Sequence, residues 1–335
     1  MDAPSIGVVG VGSLGRHHAR VVRDLAGVAC AGIYDTDEER CGAVGSELGV
    51  RVSPSLEVLL EASDAVVVAV PTLAHETVAL QAIRDGVHVL VEKPMAPDVA
   101  AADRMIAAAR RSGVVLQVGH VERFNPALVA ARPYLERPLF VESHRLAPFT
   151  PRSLDVAVVL DLMIHDVDLL SILVGRPVTE LAATGVPVLT RHVDIANARL
   201  GFEGGTVANL TASRVSATRV RKLRIWQRSG YLSLDMAAGR GEFYRLRDGV
   251  SGLDGPARPQ GVPGLAGLAS VVKRIQIVGD DSEPLAAELA SFRDAVLGLA
   301  PPPVTGEDGR CALELSLAIE RQIENHVAHT RSAPP

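Results

Sequence analysis

Six residues near the N-terminus, Gly10-Val11-Gly12-Ser13-Leu14-Gly15, constrain this chain more than any other feature. They match G-x-G-x-x-G, a spacing that any glycine-rich turn can produce. Here, however, a β-rich run, Ile6–Val9, precedes the glycines and a helical pattern, Gly15–Leu25, follows them. In that setting Gly10 allows a tight turn, Gly12 lets the backbone approach a pyrophosphate, and Gly15 permits close helix–strand packing. The helix N-terminus adds amide donors and a positive dipole. Asp35 closes the next β-rich run, about 20 residues after the last glycine. A carboxylate there accepts both ribose hydroxyls of NAD and repels a 2′-phosphate. Thr36 and Asp37 follow it, with no arginine beside them to receive that phosphate, so NAD is expected in preference to NADP.

The first third of the chain repeats the same rhythm. Ala29–Tyr34 precedes Glu38–Leu48, Ala65–Val70 precedes His75–Asp85, Val87–Val91 precedes Val99–Arg111, and Val114–Val118 ends the series. These runs are nearly continuous Val, Ile and Ala, as in strands buried on both faces, so the sheet is expected to be parallel with helices on each side. Beyond about residue 120 the pattern changes. Phe140–Leu146 reads as a strand and Ala157–Leu173 as a helix ending at Gly175. Val193–Phe202, Thr206–Ser213, Lys222–Gln227 and Tyr231–Met236 read as strands, with hairpin turns at Glu203-Gly204-Gly205 and Ser229-Gly230. Residues 248–268 hold nine Gly or Pro and read as a mobile loop, and two helices, Pro284–Leu299 and Asp308–Ala328, close the chain. The 335 residues suffice for two domains. The fold class expected is α/β: an N-terminal Rossmann dinucleotide-binding domain over residues 1–122, and a C-terminal α+β domain with a largely antiparallel sheet over 123–335.

Composition excludes several classes. Thirty-four basic against 39 acidic side chains give a net charge of −5 and no basic stripe, so nucleic acid is not an expected partner. No apolar run approaches the ~20 residues that span a bilayer. The N-terminus passes from Met1-Asp2-Ala3-Pro4 into the first strand without the features of a secretory signal. Cys30, Cys41 and Cys311 have no disulfide or metal-ligand spacing. A cytoplasmic protein with reduced thiols and no metal is expected.

Two places carry candidate chemistry. Val91-Glu92-Lys93-Pro94 lies at the carboxyl end of its strand, the edge where open α/β sheets bind ligands. By composition alone Lys93 is a solvated loop residue; beside a nicotinamide, its ammonium would stabilise an alkoxide as hydride leaves carbon. Asp161-Leu162-Met163-Ile164-His165 puts a carboxylate and an imidazole at i and i+4, on one face of a helix. They form either a structural Asp–His pair or a general base oriented by its neighbour, and a metal site would need a third ligand.

Together these residues resemble the glucose-fructose oxidoreductase/inositol dehydrogenase/MocA family of nicotinamide-dependent sugar oxidoreductases. The likeness rests on G-x-G-x-x-G with His18 in the following helix, Val70-Pro71-Thr72 with His75, Glu92-Lys93-Pro94, Asp161 with His165, and Gly306-Glu307-Asp308-Gly309. It implies that Lys93, Asp161 and His165 are catalytic. It further implies that Gly10, Gly12, Ser13, Leu14, Gly15, Asp35, Pro71, Thr72, His75, Glu92, Lys93 and Arg123 bind the cofactor. An open C-terminal sheet that forms a homodimer or homotetramer also follows from it. A narrower resemblance, to the nucleotide-sugar branch that includes UDP-N-acetylglucosamine 3-dehydrogenases, rests on Val118 to Pro126, Pro151 to Asp155 leading into Asp161, and Val193 to Leu200 with Asn209 to Arg214. It implies oxidation at C3 of a UDP-N-acetylhexosamine ahead of an aminotransferase, for lipid A or surface glycans. A diphosphate needs cations, and Arg145, Arg152, Arg214 and Arg219 are the candidates, bystanders among them, with Asp161 and His165 also at the substrate. The alternatives are a dehydrogenase of a free polyol or hexose, and a non-catalytic regulator that senses NAD or a sugar.

Overall fold

The computed structural model describes residues 3–150, 156–247 and 272–332, and its chain divides into two compact units. The first comprises Met1–Phe124 with Ser282–Leu315, the second Asn125–Asp281 with Ser316–Pro335.

In the first unit, β1 (Ser5–Val9), α1 (Gly15–Asp24), β2 (Ala29–Tyr34), α2 (Glu38–Leu48), α3 (Leu56–Glu61), β3 (Ala65–Val68), α4 (Thr72–Arg84), β4 (His88–Glu92), α5 (Val99–Ser112) and β5 (Leu116–Gly119) alternate along the chain. All five strands pair in parallel, in the order β2-β1-β3-β4-β5. A single parallel bridge from Ile33 to Val52 adds a vestigial strand outside β2. With it the sheet has the 3-2-1-4-5-6 order of dinucleotide-binding folds, and the order reverses between β1 and β3. The apolar runs explain the sheet. Ala65 to Val68 are entirely buried, as are Ile6, Val8 and Ile33. Leu289 and Phe292, of helix α8 (Pro284–Val296), complete this core beside Val22, Val44 and Leu90. This late segment, expected in the second domain, belongs to the first unit. The local pattern of an amphipathic helix does not say which core receives its apolar face.

The second unit contains α6 (Pro126–Ala131), β6 (Phe140–Leu146), a π-helical turn (Val159–Met163), α7 (Ile164–Val174) and seven more strands: β7 (Val178–Val186), β8 (Ile195–Phe202), β9 (Val207–Ser213), β10 (Val220–Gln227), β11 (Gly230–Asp235), β12 (Arg240–Leu246) and β13 (Val272–Val278). They form one sheet, β13-β12-β11-β10-β6-β9-β8-β7, antiparallel except where β6 meets β9. Strict alternation marks its buried side: Val141, Ser143 and Arg145 point inward on β6, and Ala196, Ala198 and Leu200 on β8.

The last helix, α9 (Gly306–Ser332), runs through residues of both units.

The elements differ from the sequence expectation in three places. The helix expected over Ala157–Leu173 opens with the π turn, since one extra residue per turn barely alters an apolar run. The hairpin between β10 and β11 turns at Arg228 and Ser229, with Gly230 already paired to Gln227. Strands β7, β12 and β13 lack a buried run. The two edge strands, β7 and β13, carry the exposed charges Glu180, Lys273 and Arg274, of the kind that protects sheet edges. The loop expected over 248–268 lies outside the described residues. Among the described residues no helix is long and apolar enough to cross a membrane.

Candidate active site

The glycine turn sits where the parallel sheet reverses its order, at the end of β1. Gly10 has φ +85°, and a Cβ there would stand 2.8 Å from the Ala69 carbonyl and the Val70 nitrogen. A Cβ on Gly15 would stand 1.8 Å from the Gly10 oxygen, so turn and helix touch. Gly12 is the opposite case: a Cβ would meet nothing within 4 Å. That open side faces a cleft of about 510 Å³ lined by Gly10, Gly12, Asp35, Arg40, Val70 and Pro71, among others. α1 begins with no side-chain cap, leaving its first-turn amides to the main chain and to a ligand. Ser13 and Leu14 are exposed in the turn. A pyrophosphate fits this arrangement, because the room and the donors coincide.

Asp35 stands at the rim. One carboxylate oxygen accepts the Val11 N–H at 2.8 Å, the other the Asp37 N–H at 3.0 Å, which fixes its position and leaves acceptor capacity toward the cleft. Arg40 lies beside it, 3.5 Å from Asp35 and 2.6 Å from Asp37. This corrects the expectation of no arginine at this edge. Asp37 caps α2, and the side chain of Arg40, in the first turn, leans back toward the helix N-terminus, as helical side chains do. The spacing Asp35…Arg40 with a capping Asp between them was the available signal.

Pro71 and Thr72 open α4 beside the same cleft. His75 is buried, with Nδ1 2.9 Å from the Pro94 oxygen and Nε2 2.9 Å from the Val70 oxygen, so its ring ties the chain after β3 to the chain after Lys93. Burial pushes its pKa down. Glu92, at the end of β4, is also buried. Its carboxylate meets His18 Nε2 at 2.6 Å and accepts the Lys93 N–H at 3.1 Å. Burial would raise this carboxyl, but His18 and then Lys93 hold it below its ordinary value. Glu92 and His75 therefore build the frame around Lys93, itself half-buried at the carboxyl edge of the sheet. Arg123, 5% exposed, donates to the Pro303 carbonyl at 3.0 Å and lies 3.5 Å from Asp308.

In the second unit, Asp161 lies within the π turn and His165 in the first turn of α7, both half-buried. Arg145 and Arg214 are 3% and 4% exposed. Arg145 grips Asp166 with two bonds of 2.9 and 3.0 Å. Arg214 lies 3.4 Å from Asp194 and donates to the carbonyls of Val156 and Val193. Arg219 is exposed just before β10, and Arg152 lies outside the described residues. Among the described residues no cluster of three His, Cys, Asp or Glu could hold a metal ion.

The model of the oxidoreductase family with an NAD-binding Rossmann fold matches residues 5–120, and that of the GFO/IDH/MocA C-terminal domain matches residues 135–233. The UDP-N-acetylglucosamine 3-dehydrogenase of Acidithiobacillus ferrooxidans is 37% identical over 319 residues, covering 95% of this chain and 96% of that protein. The chain belongs to the Gfo/Idh/MocA oxidoreductase family. A solved structure of the same Acidithiobacillus ferrooxidans enzyme superposes with a TM-score of 0.86 at 35% identity, over 97% of this chain and 99% of that one. The myo-inositol 2-dehydrogenase of Thermotoga maritima is 26% identical over 338 residues, covering 95% of this chain and 96% of that protein. Membership makes this an oxidoreductase with an NAD-binding Rossmann domain, and the open glycine turn is the place in the fold where that cofactor fits.

Proposed function

We propose that this chain oxidises the C3 hydroxyl of a UDP-linked N-acetylhexosamine, with NAD as oxidant, to a 3-keto sugar. The observation that carries the reading is 37% identity, over 95% of the chain, to an enzyme named for that reaction. When bound, the nicotinamide supplies the carbon that accepts hydride. Residues of the chain do the rest. Gly10, Gly12 and the α1 amides hold the pyrophosphate, and the Asp35 carboxylate receives the adenosine ribose. His165 takes the hydroxyl proton, Lys93 stabilises the developing alkoxide, and Asp161 orients His165 or binds a neighbouring hydroxyl. His75, Glu92 and His18 hold Lys93 in place.

NAD is preferred over NADP in this reading, because Asp35 and Asp37 already neutralise Arg40 and would repel a 2′-phosphate. Arg219 and Arg152 are assigned to the diphosphate. A 3-keto sugar is a carbonyl that an aminotransferase can take up, and we assign the enzyme to the cytoplasm beside such a partner. The outer face of the eight-stranded sheet carries a row of aromatics in ring contact, Phe140, Trp226, Tyr231 and Tyr244, with ring centroids 4.8–5.8 Å apart. We assign that face to a homodimer or homotetramer.

The test is NADH formation with UDP-N-acetylglucosamine, free N-acetylglucosamine and myo-inositol, the keto product being trapped. Turnover with the UDP-sugar alone, inhibited competitively by UDP, is expected. Turnover of myo-inositol that UDP does not inhibit would transfer the chemistry to a free polyol. Tight NAD binding with no oxidation of any of the three substrates would make the chain a sensor.

A further inference from the structure

Two arginines in the second unit are spent in an unusual way. Arg145 is the last residue but one of β6 and Arg214 follows β9, and these strands are the one pair of parallel neighbours in this sheet among the described residues. Parallel strands end at the same edge, with Arg145 opposite Ala212 and Leu146 opposite Ser213, so both guanidiniums arrive together. There they reach the two ends of a single segment. Arg214 donates to the Val156 carbonyl, before the π turn, while the Val158 N–H donates to Val193 at 3.0 Å. Arg145 holds both oxygens of Asp166, the residue after His165.

The clamp is itself fixed. Asp194, fully buried, accepts the N–H groups of Val188, Leu189 and Thr190 at 2.7–2.9 Å and the Thr190 hydroxyl at 2.7 Å, and it faces Arg214. A buried ion pair is poor value as a source of stability, since well-packed apolar residues of similar size often serve as well. What such a pair does supply is a fixed geometry. The segment it fixes here carries an extra residue in a π turn, a conformation that recurs at functional sites.

We propose that Arg145 and Arg214 are positioning residues, which clamp the π turn from both sides and so set where Asp161 and His165 stand. Neither guanidinium reads the substrate. The proposal rests on the assignment of Asp161 and His165 to the proton transfer. It replaces the expectation that these arginines bind a diphosphate, because each is buried and turned to a protein acceptor.

The test compares Arg145→Met, the double variant Arg145→Met/Asp166→Leu, and Arg214→Lys with wild type, measuring kcat, KM for UDP-N-acetylglucosamine, thermal stability and crystal structure. Arg145→Met leaves Asp166 buried and unpaired, so it loses both stability and activity. The double variant removes both charges. It is expected to recover the melting temperature, yet to lose roughly 100-fold in kcat with KM little changed and the π turn displaced, as a catalytic group moved by about 1 Å costs. Arg214→Lys, which cannot serve three acceptors in one plane, is expected to show a smaller loss of the same kind. A double variant that regains kcat together with stability, or keeps the π turn in place, overturns the proposal. So does a rise in KM at constant kcat, which would mean that the arginine touches substrate. Wild-type protein without turnover of the UDP-sugar would instead refute the functional reading, and the displacement of the turn would still decide whether the arginines position it.

Discussion

The two units solve the problem of holding a reactive group in different ways. In the first, the cofactor cleft is built mostly from main chain: the glycine turn, the amides of α1, and an Asp35 carboxylate oriented by two backbone N–H groups. In the second, Asp161 in the π turn and His165 in the first turn of α7 ride on a segment whose ends are held by long side chains from distant strands. A main-chain site depends on where a side chain is missing, so it leaves a spacing of glycines in the sequence. A side-chain clamp depends on partners 21 and 58 residues away, and leaves no local trace.

The sharpest break with the main-chain character of the first unit is Lys93, its one side chain assigned to the chemistry. Replacing Lys93 by Met is expected to lower kcat by at least ~1,000-fold while the NAD dissociation constant from fluorescence titration stays within about twofold. Near-normal turnover would remove Lys93 from the mechanism.

The glycines divide the same site into fold and function. Gly15→Ala forces a Cβ into the Gly10 carbonyl and is expected to cost about 2–4 kcal/mol in denaturant unfolding, if the chain folds at all. Gly12→Ala projects its methyl into open space, so stability should be unchanged while NAD affinity falls roughly tenfold or more. Equal stability loss in both variants would mean that Gly12 serves the turn and not the cofactor.

How legible these features were follows from the same contrast. The parallel sheet, the glycine turn and Asp35 could be read because burial on both faces and backbone approach restrict the residues allowed. Lys93 and the Asp161–His165 spacing were visible but ambiguous without the family resemblance. Arg40 was missed because the helix, not the chain order, brings it back to Asp35. The inward turn of Arg145 and Arg214 depends on Asp166 and Asp194, and no spacing announces a partner across a sheet. Phe292 likewise shows an apolar helix face without showing that its core lies in the first unit.

Arg40 allows a finer test of the rim. Arg40→Ala leaves Asp35 and Asp37 without their cation, so the ratio of kcat/KM for NAD over NADP should rise several-fold, about 1 kcal/mol of discrimination. An unchanged ratio would mean that Asp35 alone sets the preference.

An effect visible only through pH belongs to the second unit. Glu320 on α9 has its pKa pushed up to about 7 by burial and then by Glu324. Native protein therefore keeps a proton that the unfolded chain has lost, and stability falls as pH rises from about 4.5 to about 7. Glu320→Gln should abolish that fall, gaining on the order of 1–2 kcal/mol at pH 8 after allowance for solvent, and nothing at pH 4. A gain of the same size at both pH values would reflect packing, not charge.

The central claim is that hydride leaves C3 of the sugar for the cofactor held by the glycine turn. The most direct measurement follows the label from UDP-N-acetylglucosamine carrying deuterium at C3, incubated with wild-type enzyme and NAD and analysed by mass spectrometry of the reduced cofactor. The account predicts NADH carrying one deuterium and a 3-keto sugar that has lost it. Unlabelled NADH, with the deuterium still on the sugar, would contradict it.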